Sequence, residues 1–311
     1  MGGSVIKVLW IAKDTSTYLD RNYFYLEQEL ARKVDLVTWR QSGHIRQILK
    51  SLAWKPDFIL IVQDIGPRFE PIIHGLHEVD ISSAVFINDV HRFTEERRSF
   101  LKKHRHTFLF SVTRDACMKT YPEYANRIQW FPHFVEPSVF YDRQFKKEIG
   151  ILLLGQISDV YPFRQHVENV FHAHPEFVTS PHPGYKHFSR ASSALVGHFY
   201  AQQLNQSKIF LTCPSIYAYP VKKYFEALAC NTLLVAPAFT ELEDLGFIPG
   251  FHFAEASEDT VQSVVEYYLT HEKERQTIAK NGHDFIRHTH TTSIRANQLI
   301  QKMKEIQAHI P

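Results

Sequence analysis

Short apolar runs alternate with amphipathic stretches along the first half of the chain. Residues 6–12, 34–39, 58–62, 72–77, 84–88 and 107–112 are apolar and strand-sized, and helical spacing marks stretches near 18–32, 43–53 and 95–103. That alternation predicts β-α-β units around a parallel sheet. From Ile128 to Tyr141 the chain turns aromatic and proline-rich, and a charged stretch, 142–148, follows; these read as the connection between two domains. A second alternation runs through 149–154, a helix near 162–172, 177–179, a helix near 193–206, 209–212, a helix around Glu226, 233–236 and 251–254. From Glu258 the pattern is consecutive helices, the last over 292–307. The fold class expected is α/β with two Rossmann-like doubly wound halves, 1–143 and 144–290, and a terminal helix at about 291–311 crossing back onto the first. Ligands in such sheets bind at the carboxyl ends of the strands, so the cleft between the halves is the expected site.

The segment Pro214–Pro237 departs from a generic α/β pattern. It reads P-S-I-Y-A-Y-P-V-K-K-Y-F-E-A-L-A-C-N-T-L-L-V-A-P. Pro220 suits the first helical position, and Val221, Tyr224, Phe225, Leu228 and Ala229 recur at helical spacing, which predicts a helix starting at Pro220. Its first turn carries Lys222 and Lys223, although each cation at a helix N-terminus is disfavoured by roughly 0.3–1 kcal/mol. One reading pairs Lys222 with Glu226 at i,i+4, in the weaker orientation for such a pair. The other has both lysines, the dipole and the exposed amides facing a phosphate group, with Glu226 accepting hydrogen bonds from a ribose diol.

Composition narrows the alternatives. A chain of 311 residues exceeds the ~250–300 at which single cores usually split, and 44% apolar content suffices for two. A net charge of +2 creates no general polyanion-binding field, and the clusters Arg97-Arg98 and 102–106 read as a solvated helix face. Cys117, Cys213 and Cys230 form no C-x-x-C, which argues against disulfides and zinc and fits a reducing cytoplasm. No apolar run approaches the ~20 residues of a membrane span, so a soluble, cytoplasmic protein is expected. Residues 1–4 carry no charged n-region, and Ile6 stands where a myristoylation signal needs Ser or Thr. His104-x-His106, His172-x-His174 and His288-x-His290 lack a nearby Cys or repeated carboxylate, and i,i+2 spacing on a helix points side chains to different faces. With no DxD pattern either, no metal and no cofactor are expected.

The second half resembles the nucleotide-sugar-binding domain of GT-B glycosyltransferases, and most nearly the family-1-like and spore maturation CgeB-like group. The residues that carry the resemblance are Leu154-Gly155-Gln156 at a strand end followed by Arg164, the Lys-x-Phe-Glu-Ala-Leu-Ala-Cys run from Lys223 to Cys230, and the strand 232–236. Trp130-Phe-Pro-His-Phe-Val-Glu-Pro137 is similar to the family's interdomain stretch, and Arg287-His-Thr-His-Thr-Thr292 to its tail. The resemblance implies a transferase using a nucleotide diphosphate sugar such as a UDP-sugar, with retention, the first half facing the acceptor and the second the donor. Two departures stand out: Ala218 occupies the first position of the family's E-x7-E pair, and Asn231 replaces the usual small glycine. The first strand is followed by Lys13-Asp-Thr-Ser-Thr-Tyr18 rather than a glycine-rich turn, which moves the expected donor contacts into the second half.

Departure of a diphosphate needs its developing charge stabilised, which fixed cations and backbone amides achieve without a metal. Arg164, Lys222 and Lys223 are the candidate cations, with Gly155 at the adjacent strand end; a surface arginine at a helix start is the alternative for Arg164. Ser215 and Tyr217 precede the helix and are candidates for phosphate or sugar contacts, or ordinary turn residues. His182 and Tyr185 in the Pro-His-Pro-Gly-Tyr loop are candidates for the base pocket. On the acceptor side Asp89 and His91 follow a strand, His91 to contact the transferred sugar or carry a proton, or as one incidental histidine of nineteen, and Asp14 to hold or deprotonate an acceptor hydroxyl, or to form an Asx turn or cap a helix. The acceptor class stays open among glycan, protein, small molecule and a phosphate-bearing polymer such as DNA. The rival functions are a nucleotide-sugar 2-epimerase, which needs no acceptor, and a non-catalytic nucleotide or glycan-binding protein.

Overall fold

The computed structural model describes residues 5–65, 69–189 and 191–308. The reading of residues 1–4, and residues 309–311 of the expected terminal helix, lie outside them.

The chain divides into two compact units. The first comprises Met1–Ser16, Tyr23–Pro132 and Ser293–Pro311. It contains strands β1 (Lys7–Ile11), β2 (Asp35–Trp39), β3 (Gly43–His44), β4 (Phe58–Ile61), β5 (Ile73–His74), β6 (Ser83–Ile87), β7 (Thr107–Ser111) and β8 (Ile128–Trp130). Six of them form a parallel sheet in the order β2-β1-β4-β6-β7-β8, and β3 pairs with β5. Every residue of the central strands β4 and β6 is buried, as expected where helices cover both faces of a parallel sheet. Leu9, Ile11, Ile59, Ile61 and Val85 pack there with Ile45 and Ile48 from the helix Ile45–Ser51.

Three elements differ from expectation. The helix near 18–32 begins at Asn22, because Asp20 Oδ1 accepts from the Asn22 amide and turns the chain there. The run 72–77 yields only β5 and the single 3₁₀ turn Leu76–Glu78, entered through left-handed Gly75. The start of the presumed connection is β8, whose register with β7 pairs Ile128 with Leu109 and makes it the sixth strand.

The second unit comprises Thr17–Asn22 and His133–Thr292. Its strands β9 (Ile149–Leu154), β10 (Phe177–Ser180), β11 (Ser207–Leu211), β12 (Leu233–Ala236) and β13 (Ala254–Glu255) form a parallel sheet in the order β10-β9-β11-β12-β13. The order reverses between β9 and β11, the switch point at whose carboxyl edge a doubly wound sheet binds its ligand. Ile151, Leu153, Ile209, Leu211, Leu233 and Val235 form the core beneath the helices Pro162–Phe171, Val261–Thr270 and Glu272–Thr289. The last helix, Thr292–Ala308, falls with the first unit from Ser293 onward. Among the described residues no helix is long and apolar enough to cross a membrane.

Candidate functional site

The helix Lys222–Ala229 is held from its far end. Tyr224 through Ala229 are all buried, and Tyr224 donates its hydroxyl to the Pro237 carbonyl at 3.2 Å. Beyond the helix Asn231 adopts φ 52°, a left-handed backbone that Asn tolerates better than other non-glycine residues. Lys147 donates to the Asn231 carbonyl at 2.9 Å and to Thr232 Oγ1 at 3.1 Å; its burial pushes its pKa down to about 8. His283 Nδ1 lies 2.9 Å from the Ala229 carbonyl, which fixes the proton on Nδ1. A Cβ at Gly282 would overlap the His252 carbonyl oxygen and crowd Leu228, so only glycine lets the helix Glu272–Thr289 lie this close.

At the near end the helix starts later than expected. Val221 is extended, φ −92° and ψ 155°, and takes the cap position, so Pro220 lies before the helix and not inside it. Lys222 and Lys223 are its first two residues. Lys222 pairs with Asp20 and not with Glu226: its Nζ sits 2.7 Å from Asp20 Oδ1. Burial lowers the Lys222 pKa, but Asp20 and Glu226 outweigh it and raise the net value.

Lys223 points to a different place. A Cβ at Gly155, just past β9, would lie 2.6 Å from Lys223 Cε and 3.1 Å from Arg164 Nη1, and Gly155 has φ +135°. Gly155, Lys223 and Arg164 therefore converge at the switch point. Arg164 is not a surface residue: it is 2% exposed. Its guanidinium donates to the carbonyl of Gln156 at 3.0 Å and to Thr212 Oγ1 at 3.1 Å, and lies 3.9 Å over the Tyr161 ring. Its Nε is buried with no partner. Among the described residues no carboxylate forms an ion pair with Arg164 or with Lys223. Burial, helped by Arg164 and Lys222, lowers the Lys223 pKa to about 8 despite Glu226. His182 joins the same group, its pKa lowered by burial and then by Lys223 and Arg164.

Glu226 is 6% exposed, with Lys222, Lys223 and Tyr200 as its charged or polar neighbours. The Tyr200 hydroxyl is buried; its pKa is driven well up by burial and by Glu226, while its ring lies 5.3 Å from Lys223 Nζ. Ser215 forms a turn: its Oγ accepts from the Tyr217 amide at 3.3 Å and its carbonyl from Ala218 at 2.8 Å. Ala218 itself is left-handed at φ 53°. Tyr217 stacks with Tyr219 at 6.2 Å, and Tyr185, 66% exposed, has its ring 5.0 Å from that of His182. A cavity of about 290 Å³ lies beside this turn at the ends of β11 and β12, lined by Phe163, Cys213, Pro214, Ser215, Pro237 and Glu258.

Asp14, Asp89 and His91 belong to the first unit. Asp14 Oδ1 accepts from the Ser16 amide at 2.8 Å, the Asx-turn arrangement. Asp89 lies 3.7 Å from Arg92, and His91 is exposed; partial desolvation, with Arg92 and Arg97, lowers its pKa against the pull of Asp89. Arg97 is not on a solvated face. It is 0% exposed, bonds Asp64 Oδ1 at 2.6 Å and the Val90 carbonyl at 3.1 Å, and touches the Tyr121 hydroxyl. Of the basic stretch 102–106, only His104 is buried, stacked on Phe100 at 4.0 Å.

Sequence reasoning missed Asp20, Tyr200, Lys147 and His283. Asp20 comes from the far end of the chain and carries no local signal. Tyr200 sits on the helix His198–Asn205, whose apolar face hid it among core residues. Arg97 was discoverable, because it precedes buried Leu101 by one helical turn and so shares its face.

Residues 158–301 match a family model described as glycosyl transferase-like. No curated protein sequence matches the chain. Among solved structures, HepE from Anabaena in complex with UDP and glucose superposes with a TM-score of 0.65 at 9% identity, covering 96% of this chain and 100% of that one. Sucrose-phosphate synthase from Thermosynechococcus elongatus gives 0.65 at 11%, covering 98% and 100%. An α-glucosyltransferase in complex with UDP-glucose and DNA containing an abasic site gives 0.62 at 12%, covering 97% and 100%. At such identities the likeness is one of fold, the GT-B arrangement of two α/β halves. Residues 158–301 thus match a glycosyl transferase-like family model, and the chain has the GT-B fold.

Proposed function

We propose that the second unit binds a nucleotide diphosphate sugar, and that the protein transfers the sugar to an acceptor with retention and without a metal. One observation carries the donor reading: a 2%-exposed arginine with an unpartnered Nε stands beside a lysine of lowered pKa, and among the described residues neither forms an ion pair with a carboxylate. A buried cation without an anion is costly, so the group that stabilises it belongs to the ligand. Two such cations match the two charges of an esterified diphosphate, and Gly155 lets the backbone come close to it.

As the sugar departs, negative charge grows on the diphosphate, and preorganised cations stabilise that charge more than the ground state. Arg164 and Lys223 thus fill the role a divalent ion takes elsewhere. Glu226 faces the ribose diol, and His182 and Tyr185 line the base. The UDP in HepE and the UDP-glucose in the α-glucosyltransferase favour uracil as the base. Retention is carried over from the family resemblance, and a reducing compartment fits three free, buried cysteines. On the first unit Asp14, Asp89 and His91 are assigned to the acceptor.

Calorimetric titration of UDP, GDP and dTDP into wild type and Lys223→Met tests the donor site. At least one nucleotide is expected to bind wild type and to bind the variant at least tenfold more weakly. No binding to wild type refutes the reading, and NMR of the product anomer decides retention.

A further inference from the structure

Beside the two cations assigned to the diphosphate lies a carboxylate with no role in binding an anion. Asp20 sits in the segment Thr17–Asn22, which belongs to the second unit and is fastened there at several points. Tyr18 bridges His187, the Leu19 amide bonds the Lys186 carbonyl at 3.0 Å, and the Phe188 amide bonds the Thr17 carbonyl at 2.8 Å. Asn22 Nδ2 is buried against the Phe134 carbonyl at 2.7 Å. These contacts hold Asp20 rigidly at the start of the helix Lys222–Ala229.

The two oxygens of Asp20 differ. Oδ1 takes both Lys222 Nζ, at 2.7 Å, and the Asn22 amide, at 3.0 Å. Among the described residues nothing bonds Oδ2, and the side chain is 31% exposed. Lys222 and the Asn22 amide hold the Asp20 carboxyl below its ordinary pKa although burial works the other way, so the group is ionised at neutral pH.

A negative group next to a phosphate site weakens phosphate binding, and Lys222 is spent neutralising it. The arrangement makes sense if the ligand also carries hydroxyls, because an ionised carboxylate accepts their protons strongly. Glu226 answers to one diol, the ribose. A second diol at the other end of the diphosphate is the transferred sugar, and Asp20, paired with Lys222 and near enough to Lys223 to raise its pKa, is the carboxylate beside the diphosphate cations.

We propose that Asp20, oriented by Lys222, is a specificity-determining residue whose free Oδ2 accepts hydrogen bonds from the hydroxyls of the transferred sugar. The assignment rests on the reading of the second unit as a nucleotide-sugar site. UDP, UDP-glucose, UDP-galactose and UDP-N-acetylglucosamine are titrated into wild type, Asp20→Asn and Lys222→Met. Asparagine keeps the shape and removes the charge; UDP is expected to bind Asp20→Asn as well as wild type or a few-fold more tightly. The UDP-sugar that wild type prefers is expected to bind it about tenfold more weakly, as for loss of a charged hydrogen bond. Lys222→Met, which leaves Asp20 without its orienting partner, is expected to reduce the same preference to a smaller degree. A merely structural Asp20 would shift UDP and UDP-sugar by the same factor, and that result overturns the proposal, as does an unchanged sugar preference. If wild type binds no UDP, the donor reading itself falls and this assignment with it.

Discussion

Lys223→Met separates function from stability, because the lysine is expected to serve one at the expense of the other. Burial brings its pKa to about 8 from an ordinary 10.5. At 1.36 kcal/mol per unit, charging it in the fold costs at most about 3.4 kcal/mol, and partial exposure reduces that to roughly 1.5–3 kcal/mol. The sign follows from proton binding. Between pH 8 and 10.5 the unfolded chain holds the Lys223 proton and the folded chain does not, so stability rises with pH across that window. Below pH 8 the penalty is present in full. Methionine, of similar length and uncharged, removes it. Urea denaturation at pH 7 is expected to show the variant more stable by about 1.5–3 kcal/mol, with a melting temperature higher by roughly 4–10 °C. The wild type is expected to close part of that gap by pH 9, while the affinity of the variant for nucleoside diphosphate falls at least tenfold. A variant less stable than wild type at pH 7, with unchanged nucleotide affinity, would refute the reasoning.

Three further outcomes are expected. Glu226→Gln should abolish the preference of the protein for UDP over 2′-deoxy-UDP, about tenfold in wild type if Glu226 accepts from the ribose diol, as read by competition calorimetry; an unaltered preference places the ribose elsewhere. Ala218→Gly should stabilise the chain by about 0.5–1 kcal/mol in urea, since φ 53° costs alanine more than glycine; a loss of stability would sink this. Asp64→Asn leaves Arg97, 0% exposed, without its countercharge, and should cost about 3–5 kcal/mol in chemical denaturation; a cost below about 1 kcal/mol would mean that the pair contributes little.

Much of the fold was legible because parallel sheets write themselves as short apolar runs between amphipathic helices. Strands such as Phe58–Ile61 and Ile149–Leu154 are buried almost throughout, and no other element suits such runs at that length. The errors fell where local pattern gives way to pairing or capping. Ile128–Trp130 is a strand only because Thr107–Ser111 lies beside it, and Val221 rather than Pro220 caps the site helix. Of the candidate site, Arg164, Lys223 and Gly155, which the structure brings together, carried a sequence signal because a strand end and a helix start concentrate the chemistry of an α/β protein. Asp20 was not, because nothing local to it announces Lys222. Arg97 was misread as solvated because charge in a helix suggests exposure, while its partner Asp64 sits on another strand end. Lys147 and His283 were invisible because they act on carbonyls, and any donor can serve there.

The most direct test is a crystal structure with UDP bound. The diphosphate is predicted within hydrogen-bonding distance of Arg164 Nε and Lys223 Nζ, against Gly155, with the ribose diol on Glu226. A diphosphate bound away from Arg164 and Lys223, with both side chains unmoved, would contradict the account.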